Sequence, residues 1–114
     1  MMPRGNQAEQ IAAKFLQRNG LELLRRNYRC RHGEIDLVMR DGDTLVFIEV
    51  RLRSSDQFGG AAGSIDTAKR KRITLAARHY LVAQPFLPPC RFDAVLMSAL
   101  DEQSLEWRKN AFVP

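Results

Sequence analysis

The chain has 114 residues, 45% of them apolar and 27% charged, the size and balance of one folded domain rather than two domains or a disordered tail. A domain of this length buries roughly two-thirds of its unfolded-chain surface, enough for one core without disulfides or a structural metal. Eighteen Lys and Arg against thirteen Asp and Glu give a net charge of +5, which favours an anionic partner such as nucleic acid. The apolar stretches run for only four to six residues, against the roughly 20 of a membrane span, and the opening Met-Met-Pro-Arg-Gly-Asn holds no signal-peptide hydrophobic region. A cytoplasmic protein with no membrane partner is expected. Cys30 and Cys90 lie far apart, with no Cys-x-x-Cys and no His at ligand spacing, and read as ordinary thiols.

In chain order, Ala8, Ile11, Ala12, Phe15 and Leu16 follow the 3, 4 spacing of an amphipathic helix over Asn6 to Asn19, with Asn6 as N-cap and Gly20 as stop. A strand follows in Leu21 to Arg29, then a polar basic stretch to Gly33. Glu34 to Arg40 alternates Ile35, Leu37 and Met39 against Glu34, Asp36 and Val38, and Thr44 to Arg53 is rich in Val, Phe and Ile, so both read as strands. Gly42-Asp43 between them is a two-residue hairpin signal, because Gly tolerates the positive φ of primed turns. Ser54 to Gly63, with its glycines and serines, reads as a mobile loop. Ser64 starts a second helix to about Ala83, with Ile65, Ala68, Ile73, Ala76, Ala77, Tyr80 and Leu81 on its apolar side. Pro85, Pro88 and Pro89 end it. Arg91 to Ala99 and Leu105 to Phe112 read as two last strands joined around Leu100 to Gln103. The order implies an α/β fold, a mixed sheet flanked by helices.

In a two-residue hairpin at Gly42-Asp43, partners have numbers summing to 85, which sets Asp36 opposite Glu49 and Glu34 opposite Arg51. Like charges so paired repel unless a cation lies between them. A hard divalent ion such as Mg²⁺ takes one or two carboxylates plus water and substrate oxygens, which suits the pair. Glu49 also interrupts the apolar run Leu45 to Val50, where a lone buried charge must pair, neutralise or coordinate metal. An ion pair with Arg51 or Arg53, which share its face, is the competing reading. Glu9 fits a capping box with Asn6, yet also borders the apolar stripe from which it would lean toward the carboxylates.

Basic residues cluster at Arg25, Arg26 and Arg29 to Arg31, at Arg51 with Arg53, and at Lys69-Arg70-Lys71-Arg72. Such clusters supply phosphate contacts to nucleic acid, or form a solvated helix face. Arg53, Lys69, Arg70 and Arg72 are the candidates for nucleic-acid binding. His32 and His79 read as surface residues rather than ligands.

Gly33-Glu34-Ile35-Asp36-Leu37-Val38, Val46-Phe47-Ile48-Glu49-Val50-Arg51, Gly59-Gly60, Lys69 and Arg91-Phe92-Asp93-Ala94-Val95 together resemble the bacterial YraN-like family, and the match runs from Glu9 to Ala111-Phe112. That family is in turn similar to the restriction-endonuclease-like PD-(D/E)xK superfamily and to archaeal Holliday-junction resolvases, whose core runs αβββαβ. The resemblance implies catalytic positions at Glu9, Asp36, Glu49 and Arg51. Asp36, Glu49 and the Val50 carbonyl would be ligands to Mg²⁺ or Mn²⁺, activating a water for attack on a phosphodiester. Arg51 stands where the superfamily has Lys. It cannot be deprotonated and so cannot be a general base, but it can hold a scissile phosphate. Lys69 on the second helix would supply the missing amine. Three functions follow as expectations: a divalent-metal-dependent endonuclease on DNA, perhaps on branched intermediates; a catalytically inactive nucleic-acid-binding module; and an accessory protein docking a protein partner through its basic helix. A homodimer is expected by analogy with the resolvases.

Overall fold

The computed structural model describes residues 4–52 and 65–113; Arg53, the expected loop 54–63 with Gly59-Gly60, and Ser64 lie outside the described residues. The elements are α1 (Arg4–Arg18), β1 (Glu22–Cys30), β2 (Gly33–Asp41), β3 (Thr44–Leu52), α2 (Thr67–Leu81), β4 (Cys90–Met97), a 3₁₀ turn (Glu102–Ser104) and β5 (Glu106–Arg108). The sheet runs β1-β2-β3-β4-β5, parallel between β3 and β4 and antiparallel elsewhere. This is the expected mixed α/β sheet, in an order compatible with a restriction-endonuclease-like core.

Each face of the sheet carries one helix. Ala8, Ala12, Ala13 and Leu16 of α1 pack on Leu37, Met39, Val46, Ile48, Val95 and Met97. Ile73, Ala76 and Ala77 of α2 pack on Ile35, Val38, Leu45, Phe47, Phe92 and Ala94. Because both faces are covered, the central strands are buried on both sides, as their near-continuous apolar runs require. The expected strict alternation in β2 slips at the site. Ile35 joins Val38 on the α2 side, while Leu37 and Met39 face α1.

Several boundaries differ from expectation for identifiable reasons. Helix α1 begins at Arg4, so Asn6 lies inside the first turn and is not the N-cap, and the capping-box account of Glu9 falls with it. Its end is as expected: Gly20 has φ +96°, and the amides of Leu21 and Gly20 donate to the carbonyls of Leu16 and Gln17, a Schellman motif closed by the Leu16–Leu21 apolar contact. Helix α2 is capped by Asp66, not Ser64, with Asp66 Oδ1 accepting from the Lys69 amide at 2.8 Å. Ala68, expected on the apolar face, is exposed. β1 runs on through Cys30, and β5 is three residues rather than eight. Beyond it, Asn110 takes φ +54° and its amide donates to Asp93 Oδ1 at 3.0 Å, so a buried carboxylate rather than a strand partner holds the chain there.

Candidate active site

The β2–β3 hairpin sets the geometry. Gly42 has φ +62° and Asp43 no positive φ, the pattern of a type II′ turn. Asp41 pairs with Thr44 and the ladder continues to Leu37 and Ile48, the register summing to 85 that the sequence predicts. Beyond that pair the strands part. Ile35 and Val50 would be the next hydrogen-bonded pair, but the Val50 amide instead donates to Asp36 Oδ2 at 2.8 Å. The N–H and C=O of one strand residue face the same neighbour, so the Val50 carbonyl is directed to the same widening gap. Glu34, expected opposite Arg51, is paired within the other ladder to Arg29, Nε to Oε2 3.0 Å.

Asp36 and Glu49 lie beside each other in this gap, 8% and 5% exposed, and Glu9 reaches them from α1, also buried. The three acids expected from the resemblance are therefore brought together, from α1, β2 and β3. Burial, reinforced by the Glu49 charge and by Glu9, pushes the Asp36 carboxyl up to about 9, against the opposing pull of the Val50 amide. Burial also raises Glu9, opposed by hydrogen bonds from the side chains of Asp36 and Asn27 and by the Arg26 charge. Glu9 Oε1 is nonetheless buried with no hydrogen-bond partner.

The cations are unequally shared. Lys69 Nζ sits 2.7 Å from Glu49 Oε2, and Arg51 Nη1 3.7 Å from the same oxygen. The ion-pair reading of Glu49 is thus present in the structure, with Lys69 of α2 as its closer partner, and among the described residues no ion pair reaches Asp36. Asn27 and Arg26 act on Glu9; the sequence marks Arg26 only as a member of a basic cluster and does not mark Asn27. Asn27 holds φ +52° inside β1, between the Arg26–Leu37 and Tyr28–Ile35 pairs, and nothing in the local sequence beyond the tolerance of Asn for that conformation signals it.

The consecutive run Lys69 to Arg72 is dealt around α2 by the helical repeat. Lys69 faces Glu49. The Arg70 Nε donates to the Ile65 carbonyl at 2.8 Å and its guanidinium lies over the Phe112 ring. Lys71 is turned outward, and Arg72 packs against the β1–β2 turn, where an added Cβ on Gly33 would meet the Arg72 Cβ at 3.3 Å. Of the four candidates for nucleic-acid contact, Lys69 is held in the acidic site, Arg70 and Arg72 are exposed on different sides of the helix, and Arg53 is outside the described residues.

Among the described residues, no group of three or more His, Cys, Asp or Glu side chains is placed to hold a metal ion. A hard divalent ion needs fewer carboxylates than that, one or two with carbonyl and water oxygens completing the shell. Asp36, Glu49 and the Val50 carbonyl form such an oxygen donor set, and the unpartnered Glu9 Oε1 beside it supplies a further acceptor. In the kind of donor atom, though not as a cluster of three side chains, these residues suit such an ion.

Among the described residues, no helix is long and apolar enough to cross a membrane. Comparison with known proteins gives a consistent picture. A family profile described as Uncharacterised protein family UPF0102 matches residues 8–97. A UPF0102 protein of Nitrosomonas europaea is 60% identical over 109 residues, 96% of this chain and 92% of that protein. One of Cupriavidus taiwanensis is 59% identical, covering 96% of this chain and 82% of its own. One of Methylobacillus flagellatus is 51% identical over 98% of both. The YraN-like resemblance read from the motifs thus agrees with the comparisons, and the chain belongs to the UPF0102 family.

Proposed function

We propose that this protein is a divalent-metal-dependent endonuclease hydrolysing phosphodiester bonds in DNA, with branched or recombination intermediates as its substrates. The observation that carries the reading is the buried Asp36–Glu49 pair at the point where β2 and β3 part, with an orphaned Glu9 oxygen beside it. A carboxylate pair is costly to bury and serves no packing purpose there. Asp36, Glu49 and the Val50 carbonyl would hold Mg²⁺ or Mn²⁺. When bound, such an ion lowers the pKa of a water and stabilises charge on a phosphoryl oxygen.

The chain's own residues supply the rest. The Val50 amide fixes the Asp36 carboxylate in the plane of the sheet. Arg51, with its side chain 15% exposed beside Glu49, is placed to clamp a phosphate oxygen with its planar guanidinium and offset charge developing there. It remains protonated throughout, so it takes no proton. Lys69 Nζ on Glu49 orients that carboxylate. The basic surface of α2 attracts the polyanion to this mouth.

A second reading, a catalytically inactive nucleic-acid-binding module, is favoured by one observation: Glu49 already has Lys69 and Arg51 as cationic partners. Cleavage assays on linear, flapped and four-way DNA in Mg²⁺ and Mn²⁺ decide between them. The endonuclease reading expects metal-dependent cutting by the wild type that is lost in Glu49→Gln. Equal cutting by both proteins, or binding without cutting in either metal, overturns it.

A further inference from the structure

Outside the carboxylate site, three rings gather where α2 meets the β1–β2 hairpin. The Tyr28 hydroxyl and His79 Nδ1 are hydrogen-bonded to each other. The two rings are 6.0 Å apart, and His32, in the two-residue turn between Cys30 and Gly33, lies 6.2 Å from His79. Tyr80 supports Tyr28 from beneath, edge-on at 5.2 Å. His79 is exposed, and Tyr28 and His32 are half-exposed.

Guanidinium groups frame these rings. Arg25 lies over the Tyr28 ring at 5.4 Å, Arg31 shares the turn with His32, and Arg72 packs on the turn's glycine. None of the three has an acidic partner among the described residues, whereas Arg18, Arg29, Arg40 and Arg108 are each paired to a Glu. The helix beside them carries five Lys and Arg and no Asp or Glu, so it repels itself without the i, i+4 acids that ordinarily compensate. Surplus positive charge around these part-exposed rings, with Arg25 over one face of Tyr28, matches a ligand that is both polyanionic and planar. Nucleic acid is that ligand, but only where its bases are unstacked. In a continuous duplex the base faces cover one another, and proteins stack aromatic groups on bases of single strands, loops and ends.

We propose that Tyr28, His32 and His79 form a stacking platform for an unpaired nucleobase, flanked by Arg25, Arg31 and Arg72 as phosphate contacts, so that the ligand of this protein is nucleic acid with unpaired nucleotides rather than continuous duplex. Tyr28 pairs across the sheet with Ile35, the neighbour of Asp36. The platform is thus carried on the strand next to the one that holds Asp36, and in this respect the inference rests on the nuclease reading and narrows its substrate.

The test is binding without cleavage. Fluorescence anisotropy in EDTA compares one labelled single strand with the same strand in a duplex. Wild type binds the single strand about tenfold tighter, the scale of one base–aromatic stack. Tyr28→Ala with His79→Ala removes that preference and leaves duplex affinity within about twofold. Tyr28→Phe keeps the ring, loses the bond to His79 and retains the preference, which separates stacking from a structural tie between β1 and α2. Equal affinity of wild type for single strand and duplex overturns the platform while leaving nuclease activity on duplex standing. Loss of preference in Tyr28→Phe as large as in the double variant also overturns it. Failure to bind nucleic acid in any form overturns both the platform and the nuclease reading.

Discussion

Replacing Asp36 by Asn tests the electrostatics of the gap directly. The folded protein holds this carboxyl at about 9, against an ordinary 3.8. Between those values the folded chain keeps a proton that the unfolded chain has released, so metal-free stability is full below the ordinary value and falls as pH rises toward 9. One proton per molecule corresponds to about 1.4 kcal/mol for each pH unit, or about 3 kcal/mol between pH 6 and pH 8. That is a large part of the roughly 5–15 kcal/mol available to a domain. An Asn side chain still accepts from the Val50 amide but carries no charge, so Asp36→Asn removes this slope. The assay is urea unfolding in EDTA across that range for both proteins, with wild type minus variant reporting the proton uptake of Asp36 together with its neighbour Glu9. The expected outcome is a variant that gains on wild type steadily as pH rises. Parallel stability profiles would refute the claim that burial and Glu49 hold Asp36 protonated.

Millimolar Mg²⁺ or Mn²⁺ is expected to raise the melting temperature of the wild type but not of Asp36→Asn. At a hundred times Kd the linkage is about 2.7 kcal/mol, several degrees for a domain of this size, and an unchanged wild-type melting temperature would count against the ion site. Asp93→Ala is expected to cost about 3–5 kcal/mol in urea unfolding. Asp93 is 1% exposed and accepts from Arg91 Nε at 2.9 Å, Trp107 Nε1 at 3.0 Å and the Asn110 amide at 3.0 Å, so its loss leaves the Arg91 guanidinium with Asp41 alone, orphans the Trp107 N–H and unpins the C-terminal segment. A cost below about 1 kcal/mol would show that this cluster is not what holds β5 and the tail.

Much of this site can be read without coordinates because its key register is local. A Gly-Asp turn fixes which residue of β2 faces which of β3 as far as Leu37 and Ile48, and counting on from there points to Asp36 and Glu49 as neighbours even though the ladder itself has ended. Long-range partners are not encoded that way. Nothing near Glu49 announces that Lys69, twenty positions on and across the sheet, would be its nearest cation. The spacing of Lys69 to Arg72 gives their directions around a helix, but which direction meets the site depends on how α2 sits on the sheet. The C-terminal strand is shorter than its apolar pattern predicts for a similar reason. Apolar residues at Ala111 and Phe112 look like strand, yet they pack beneath α2 while the buried Asp93, invisible to hydropathy, directs the backbone. At the amino end, Asn6 carries the chemistry of a cap, but the helix starts earlier, and local preference yields to the extra turn at Arg4.

The two carboxylates of the gap are anchored by different means. Asp36 is tethered to a main-chain amide of β3, a group every non-proline residue at position 50 would offer. Glu49 is tethered to the tips of two long, flexible cationic side chains. Sequence drift on β3 therefore leaves the first acid where it is, whereas any anion that draws Lys69 or Arg51 away sets the second one free to turn. Half of the pair is thus held by the backbone and half by side chains for which another anion can compete.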